Sequence, residues 1–299
     1  MITLSRALDR AGIQDRRSRH GYRTLAREML RADTAYYAAV RLLIPANLQP
    51  HVLAAYWFAH TADTVADSGP AAGRLARYDA WAAAARRDLN CRHLTDRDLT
   101  NFARCDARMA AFARTVADCG LPASRIERLL DGMRGDAALG GPVDGAPLGA
   151  DLPDEAAFQR YVDRVSWPFL LLLVGVHPAC QSTDTELDFR TLAAGCQRVD
   201  FLADLADDVR ADRARLPGTP RALAQQVARA REDLGAARLV LHHTPPELLP
   251  MMRAFLRMHA VRLGAVERAG AALVHRKVRQ PALATARVFA AALKEARHG

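Results

Sequence analysis

An all-α fold is predicted by three observations. Alanine and leucine are plentiful while β-branched runs are scarce, aromatic residues make up only 6% of the chain, and apolar residues recur at helical spacing over most of its length. Such a composition favours helix nearly everywhere. With 299 residues, 50% of them hydrophobic, the chain can bury a large core as one big domain or as two closely packed ones. Its Gly- and Pro-marked breaks are too short and too apolar to be flexible linkers, and no repeat of fixed period appears. One helical domain over 1–299 is expected, with residues 1–20 flexible.

Taken in order, the 3.6-residue periodicity places helices at 22–43, 53–67, 75–89, 98–119 and 124–136. The stretch from Gly140-Gly141-Pro142 to Leu152-Pro153 then breaks the pattern, because glycine loosens the backbone and proline removes a donor. Two long helices follow at 155–176 and 184–211. Leu216-Pro217-Gly218-Thr219-Pro220 ends the second, and 221–240 runs to Pro245-Pro246. Helices at 247–276 and 282–297 complete the chain.

The formal net charge is +9, but arginine carries nearly all of it, scattered along helices. Lysine occurs only at Lys277 and Lys294. With no recognised module beside the charge, nucleic-acid binding is not expected; an anionic substrate or membrane surface accounts for the balance. The five cysteines, Cys91, Cys105, Cys119, Cys180 and Cys196, include no Cys-x-x-Cys pair. Neither a disulfide framework nor a zinc site is indicated, so a cytoplasmic location is expected. The N-terminus lacks the apolar core of a signal peptide, and the longest apolar run, 169–176, is too short to cross a bilayer. Any membrane association would be peripheral, through an arginine-rich helix such as 251–276.

Chemistry is concentrated in two aspartate pairs. Asp63 and Asp67, and again Asp204 and Asp208, are spaced i, i+4, which puts each pair on one helix face, one turn apart. Like charges so placed destabilise a helix by about 0.2–0.5 kcal/mol, a penalty that a cation between them would remove. Tyr56, His60, Asp63 and Asp67 lie within a stripe of about 60°, flanked by Leu53, Trp57, Ala62 and Val65. Gln197, Asp200, Asp204 and Asp208 repeat the pattern. A lone acidic pair is ordinarily the solvated face of a surface helix; two matched stripes facing a cavity would offer hard oxygen ligands to Mg²⁺, which completes its octahedron with water and phosphate oxygens. That chemistry suits holding a diphosphate and helping it leave.

The stretch 197–217, from Gln197 through Asp204 and Asp208 to Leu216-Pro217, resembles the second signature of the squalene and phytoene synthase family without a gap. Ala55-Tyr56-Trp57-Phe58-Ala59 running into Asp63 and Asp67 resembles its first. Weaker matches fall in order at 36–43, at Asp131-Gly132-Met133 with Asp136, and at Tyr161 with Val165. The resemblance implies an isoprenoid synthase-type helical bundle around a central cavity, binding prenyl diphosphates between two acidic helices through Mg²⁺ as cofactor. It implies that Asp63, Asp67, Asp204 and Asp208 hold metal, that Tyr56, Arg41 and Arg213 contact diphosphate, and that Tyr161 stands near the reacting carbons. Gln197, His60 and Trp167 join the expected substrate contacts.

Several positions depart from the family pattern. His60 stands where an arginine is usual, which makes that contact dependent on protonation near neutral pH. Asp200 replaces an asparagine, adding a negative charge and a further candidate metal ligand, and Arg215 replaces a tyrosine. At Val165-Ser166-Trp167-Pro168-Phe169-Leu170 the family has Val-Ala-Gly and a second glycine. Pro168 can kink this helix; Trp167 fills volume that glycine leaves empty, facing either the cavity or a neighbouring helix. Pro168, Phe201, Ala66-Asp67 and Arg74-Leu75-Ala76-Arg77 are most similar to the hydroxysqualene synthase branch, in partial agreement only.

The leading expectation is a Mg²⁺-dependent transferase that ionises farnesyl, geranylgeranyl or presqualene diphosphate, coupling two chains head to head or rearranging a coupled intermediate. The alternatives are a single-substrate terpene cyclase, a prenyltransferase to a non-isoprenoid acceptor, or a non-catalytic assembly or lipid-binding subunit. His60, His242 and His243 are candidate proton acceptors. No Gly-x-Gly-x-x-Gly fingerprint supports a nicotinamide-dependent step.

Overall fold

The computed structural model describes residues 2–70, 72–90, 106–138, 154–210, 216 and 218–298, and every regular element among them is helical. They form two compact units, one of residues 1–137 and 171–181, the other of 138–170 and 182–299.

The first unit holds α1 (Leu4–Arg10), α2 (Arg16–Ala32), α3 (Thr34–Leu43), α4 (Gln49–Asp67), α5 (Arg74–Asn90), α6 (Ala107–Asp118) and α7 (Ala123–Ala138). Residues 1–20, expected to be flexible, instead carry two helix starts, because Thr3 and Asp15 cap them by accepting from the N–H groups of Arg6 and Ser18. Ala7, Leu8 and Ile13 are fully buried, which fixes the segment. The single helix expected over 22–43 is divided at Asp33, whose extended backbone ends α2 while its carboxylate accepts from the Tyr36 N–H at 2.9 Å and starts α3. Residues 98–105 lie outside the described residues, and α6 begins after its Asp106 cap.

In this unit α2 packs on α4 and α6, and α4 on α5 and α6. Gly21 permits the α2–α6 approach, since a Cβ there would overlap the Ala107 carbonyl oxygen. The core around Tyr22, Leu25, Leu53 and Phe58 includes a Phe58–Phe112 stack at 4.1 Å. This packing fixes the rotation of α4, burying Ala55, Ala59, Ala62 and Ala66 and leaving its polar stripe half-buried.

The second unit contains α8 (Glu155–Tyr161), a π-turn (Val162–Ser166), the start of α9 (Trp167–Val174), α10 (Thr183–Arg210), α11 (Pro220–Ala236), α12 (Val240–His243), α13 (Leu249–Ala269) and α14 (Ala282–His298). The helix expected over 155–176 is thus interrupted. Proline lacks an N–H and its ring crowds the carbonyl four residues back, so the wider π-turn immediately before Pro168 takes up the mismatch. The helix expected over 247–276 ends at Ala269, because Gly270 adopts φ 52° and a 3₁₀ turn follows.

α10 packs on α11 and α13, and α13 on α14. Gly195 lets α10 approach α11; a Cβ there would sit 3.0 Å from the Leu234 side chain and 3.1 Å from its backbone nitrogen. Arg198, only 1% exposed, ties three helices together. Its guanidinium meets Glu155 of α8 at 2.7 Å, Asp233 of α11 at 2.9 Å and Gln226 at 2.5 Å, and it lies 3.7 Å from the centre of the Phe158 ring. A buried cation with two carboxylates and an amide is the satisfied arrangement that burial demands.

Candidate functional site

On α4 the four stripe residues share one face, all half-buried. Tyr56 and His60 stack with ring centres 5.8 Å apart, and Tyr36 of α3 lies on the other side of Tyr56 at 3.8 Å. The Tyr56 hydroxyl donates to Asp33 at 3.0 Å, and burial followed by the Asp33 charge pushes that phenol well above its usual range. Tyr56 is therefore a neutral donor held in an aromatic stack, with Asp63 and Asp67 about two and three turns further along α4. Spacing along the chain gave no sign of Asp33, which lies on the connection between two helices that periodicity had merged.

On α10, Gln197, Asp200, Asp204 and Asp208 likewise follow one face, all half-buried. Gln197 accepts from the Ser166 hydroxyl at 2.7 Å. Arg262 of α13 spans two carboxylates, meeting Asp200 at 2.6 Å and Asp204 at 2.9 Å. Lys277 reaches Asp204 at 3.4 Å and Asp207 at 2.6 Å, and Asp207 also accepts from Arg210 at 2.5 Å. His259 stands 3.9 Å from Asp200. Desolvation by the atoms crowding it raises the Asp200 carboxyl, although 37% of the side chain faces solvent; His259 and Arg262 pull it back and Asp204 adds to the rise. Arg262, His259 and Lys277 were not singled out from the sequence. The available signal was the i, i+3 placement of His259 and Arg262 on one helix and the scarcity of lysine.

Other expected residues have different surroundings. Tyr161 is buried with its ring 5.2 Å from Phe201 of α10, and Phe158 joins them at 6.4 Å from Phe201. The Trp167 indole N–H donates to the Glu186 carbonyl of α10 at 3.0 Å, so this side chain faces the neighbouring helix. Arg41, expected to contact diphosphate, is instead 5% exposed, donating to Gln49 at 2.6 Å and to the Ile2 carbonyl. Gln49 returns bonds to the carbonyls of Arg41 and Ile44, so the guanidinium closes the α3–α4 connection. His243 pairs with Asp188 on the surface. Arg213 and Arg215 lie outside the described residues.

Among the described residues no group of three or more His, Cys, Asp or Glu side chains is gathered as a metal site. The donor set nonetheless suits Mg²⁺, which takes one or two carboxylates and leaves its other positions to water and phosphate. Asp204 already receives two cationic side chains, so the face attracts positive charge.

These features define an all-helical protein with one acidic stripe on each of two helices. The sequence model of the Squalene/phytoene synthase family matches residues 29–219, a span that includes both stripes. The chain belongs to this family, whose members are prenyl diphosphate-utilising transferases. The bifunctional protein CrtB/UppS of Streptomyces coelicolor is 29% identical over 210 residues, 69% of this chain, and the chain spans only 33% of that relative's length. The solved squalene synthase HpnC from Alicyclobacillus acidocaldarius has a TM-score of 0.65 at 20% identity, covering 87% of this chain and 98% of its own. A dehydrosqualene synthase solved with a ligand has a TM-score of 0.71 at 13% identity, covering 94% and 98%. At these identities the likeness is one of fold, and that fold is the isoprenoid synthase-type helical bundle.

Proposed function

We propose that the chain is an enzyme of isoprenoid biosynthesis that ionises a prenyl diphosphate and either couples two such chains head to head or rearranges a coupled intermediate. The observation that carries this reading is the pair of matched acidic stripes on α4 and α10 within the family match. Farnesyl, geranylgeranyl and presqualene diphosphates are the substrates proposed. Mg²⁺ is the proposed cofactor, with Asp63 and Asp67 on α4 and Asp204 and Asp208 on α10 to hold it, and Asp200 as a further ligand. Bound there, it would supply positive charge to the leaving diphosphate.

This chain's own groups support the remaining roles. Tyr56, kept protonated by burial, offers an O–H donor beside the α4 carboxylates. Tyr161, Phe158 and Phe201 form an aromatic cluster suited to an electron-poor allylic centre, since ring faces attract positive charge without attacking it. Trp167 bears on the competing reading of a single-substrate cyclase. The bond from its indole N–H to the Glu186 carbonyl of α10 supports helix packing over a substrate-wall role, and so favours coupling or rearrangement. The protein is proposed to work in the cytoplasm with peripheral membrane contact; no helix of the described residues is long and apolar enough to cross a membrane.

The test is a mass-spectrometric product assay with geranyl, farnesyl, geranylgeranyl and presqualene diphosphates, each with and without Mg²⁺. A metal-dependent product of doubled carbon count, or one made from presqualene diphosphate, is expected. Asp63→Asn and Asp204→Asn should each lower its rate by about 10²–10³-fold, the scale of losing one electrostatic stabiliser of a transition state. Full activity in either variant would remove that residue from the machinery.

A further inference from the structure

A cleft of about 700 Å³ opens in the second unit between the end of α10, the last turns of α13 and the segment leading to α14. Five permanent cations line it, Arg210, Arg268, Arg276, Lys277 and Arg279, with His275 beside them, and none of the described lining residues is acidic. Two of the cations are engaged by Asp207: Arg210 at 2.5 Å and Lys277 at 2.6 Å. Arg268, Arg276 and Arg279 have no acidic partner among the described residues and are exposed.

The contrast with a second cavity shows that this is not merely the protein's general arginine content. The cavity of about 500 Å³ between α11 and α13 also has an arginine-rich lining, but there Arg231 is paired with Glu267 at 2.7 Å. Arg257 and Arg253 are paired with Glu295 at 2.7 and 3.4 Å. Three of that cavity's four arginines thus have carboxylate partners, Arg238 being the exception, whereas three of the four arginines of the other cleft have none among the described residues.

The cleft is also held in shape. The Val278 N–H donates to the Ala203 carbonyl of α10 at 3.1 Å, Arg210 donates to the His275 carbonyl at 3.2 Å, and Leu273 and Val278 are buried. These contacts hold the 270–281 segment against α10, so the cations on it are pre-positioned and little ordering is needed on binding. Guanidinium forks match the paired oxygens of phosphate, to which they donate two parallel bonds.

We propose that this cleft is a binding site for a phosphate-bearing anion, with Arg268, Arg276 and Arg279 as its recognition groups. The same chemistry is presented by inorganic diphosphate in solution and by the headgroup of an anionic phospholipid. The proposal rests on the cleft's own charge and not on the reaction assigned above.

The experiment compares the full-length protein with the triple variant Arg268→Gln/Arg276→Gln/Arg279→Gln. Titration calorimetry with inorganic diphosphate, without divalent metal, is one arm. Co-sedimentation with vesicles of phosphatidylglycerol and phosphatidylcholine, against phosphatidylcholine alone, is the other. A second triple variant, Arg10→Gln/Arg31→Gln/Arg87→Gln, removes the same charge from exposed positions of the first unit. The cleft variant is expected to bind at least about tenfold more weakly, each tenfold being about 1.4 kcal/mol, while the control stays within about twofold of the parent, the range expected of remote surface charges. A loss confined to the anionic vesicles identifies the lipid headgroup; a loss toward diphosphate identifies the soluble anion. The three single substitutions carry the test if the triple variant melts early. The site is overturned if the parent protein binds neither probe, if the cleft variants bind like the parent, or if the control weakens binding equally.

Discussion

Arg262 lays its two terminal nitrogens across Asp200 and Asp204, so the chain itself offsets the repulsion expected along α10. The carboxylates were legible from spacing alone, because a helix converts i, i+4 directly into adjacency. Their counter-charge was not, because Arg262 lies 62 and 58 residues away from its two partners. A divalent ion held by these carboxylates, as proposed, would compete with this guanidinium. Arg262→Gln should therefore bind Mn²⁺ more tightly in the absence of substrate, by about tenfold for a lost competitor of roughly 1.4 kcal/mol. Electron paramagnetic resonance of free Mn²⁺ reads this without turnover; equal affinity in variant and parent would mean that the two cations do not share a site.

Helix existence was legible in the sequence, and so were the clearest interruptions marked by glycine or proline, but the break at Asp33 was not. Apolar periodicity runs through Asp33 without a gap, since a capping carboxylate is polar in the same way as any exposed helical residue; its extended backbone is a tertiary outcome. At 155–176 Pro168 marked the interruption, while its form, a π-turn, was not readable. Close approach between helices is readable only at glycine, and only once the partner helix is known. Gly195 is the clear case, because an added Cβ would meet backbone atoms of α11 as well as a movable leucine side chain. Gly195→Ala should destabilise the protein by about 1–3 kcal/mol through overpacking, despite alanine's better helix propensity. Chemical denaturation checks the sign: a stabilised variant would show that α11 can withdraw at little cost.

Across the chain, the family and fold were available from motifs, while the protonation balance of the core was not. His51 lies buried in the first unit beside Thr115 at 3.1 Å and Tyr22 at 3.4 Å. Burial lowers its pKa from 6.5 to about 4. Between those values the unfolded chain binds a proton that the folded chain refuses. The stability owed to neutral His51 is thus complete above pH 6.5 and lost as pH falls towards 4, a difference of about 3 kcal/mol. Melting temperature should fall between pH 7 and pH 5, and His51→Gln should flatten that fall; an identical slope in the variant would assign the acid sensitivity to other groups.

The π-turn between Tyr161 and Trp167 has a geometric meaning of its own. Successive residues of an α-helix advance by about 100° around the axis, so the wider turn sets the azimuth of everything before it relative to everything after. Excising one residue there, the exposed Arg164 for instance, would restore uniform winding and leave α8 at nearly its present azimuth, because a turn closed at i+5 instead of i+4 takes in one extra residue. Tyr161 would stay beside Phe201 and Trp167 would keep its hold on α10. The turn is a local store for one surplus residue, taken in while a ring on one side and an indole on the other both stay on the same helix.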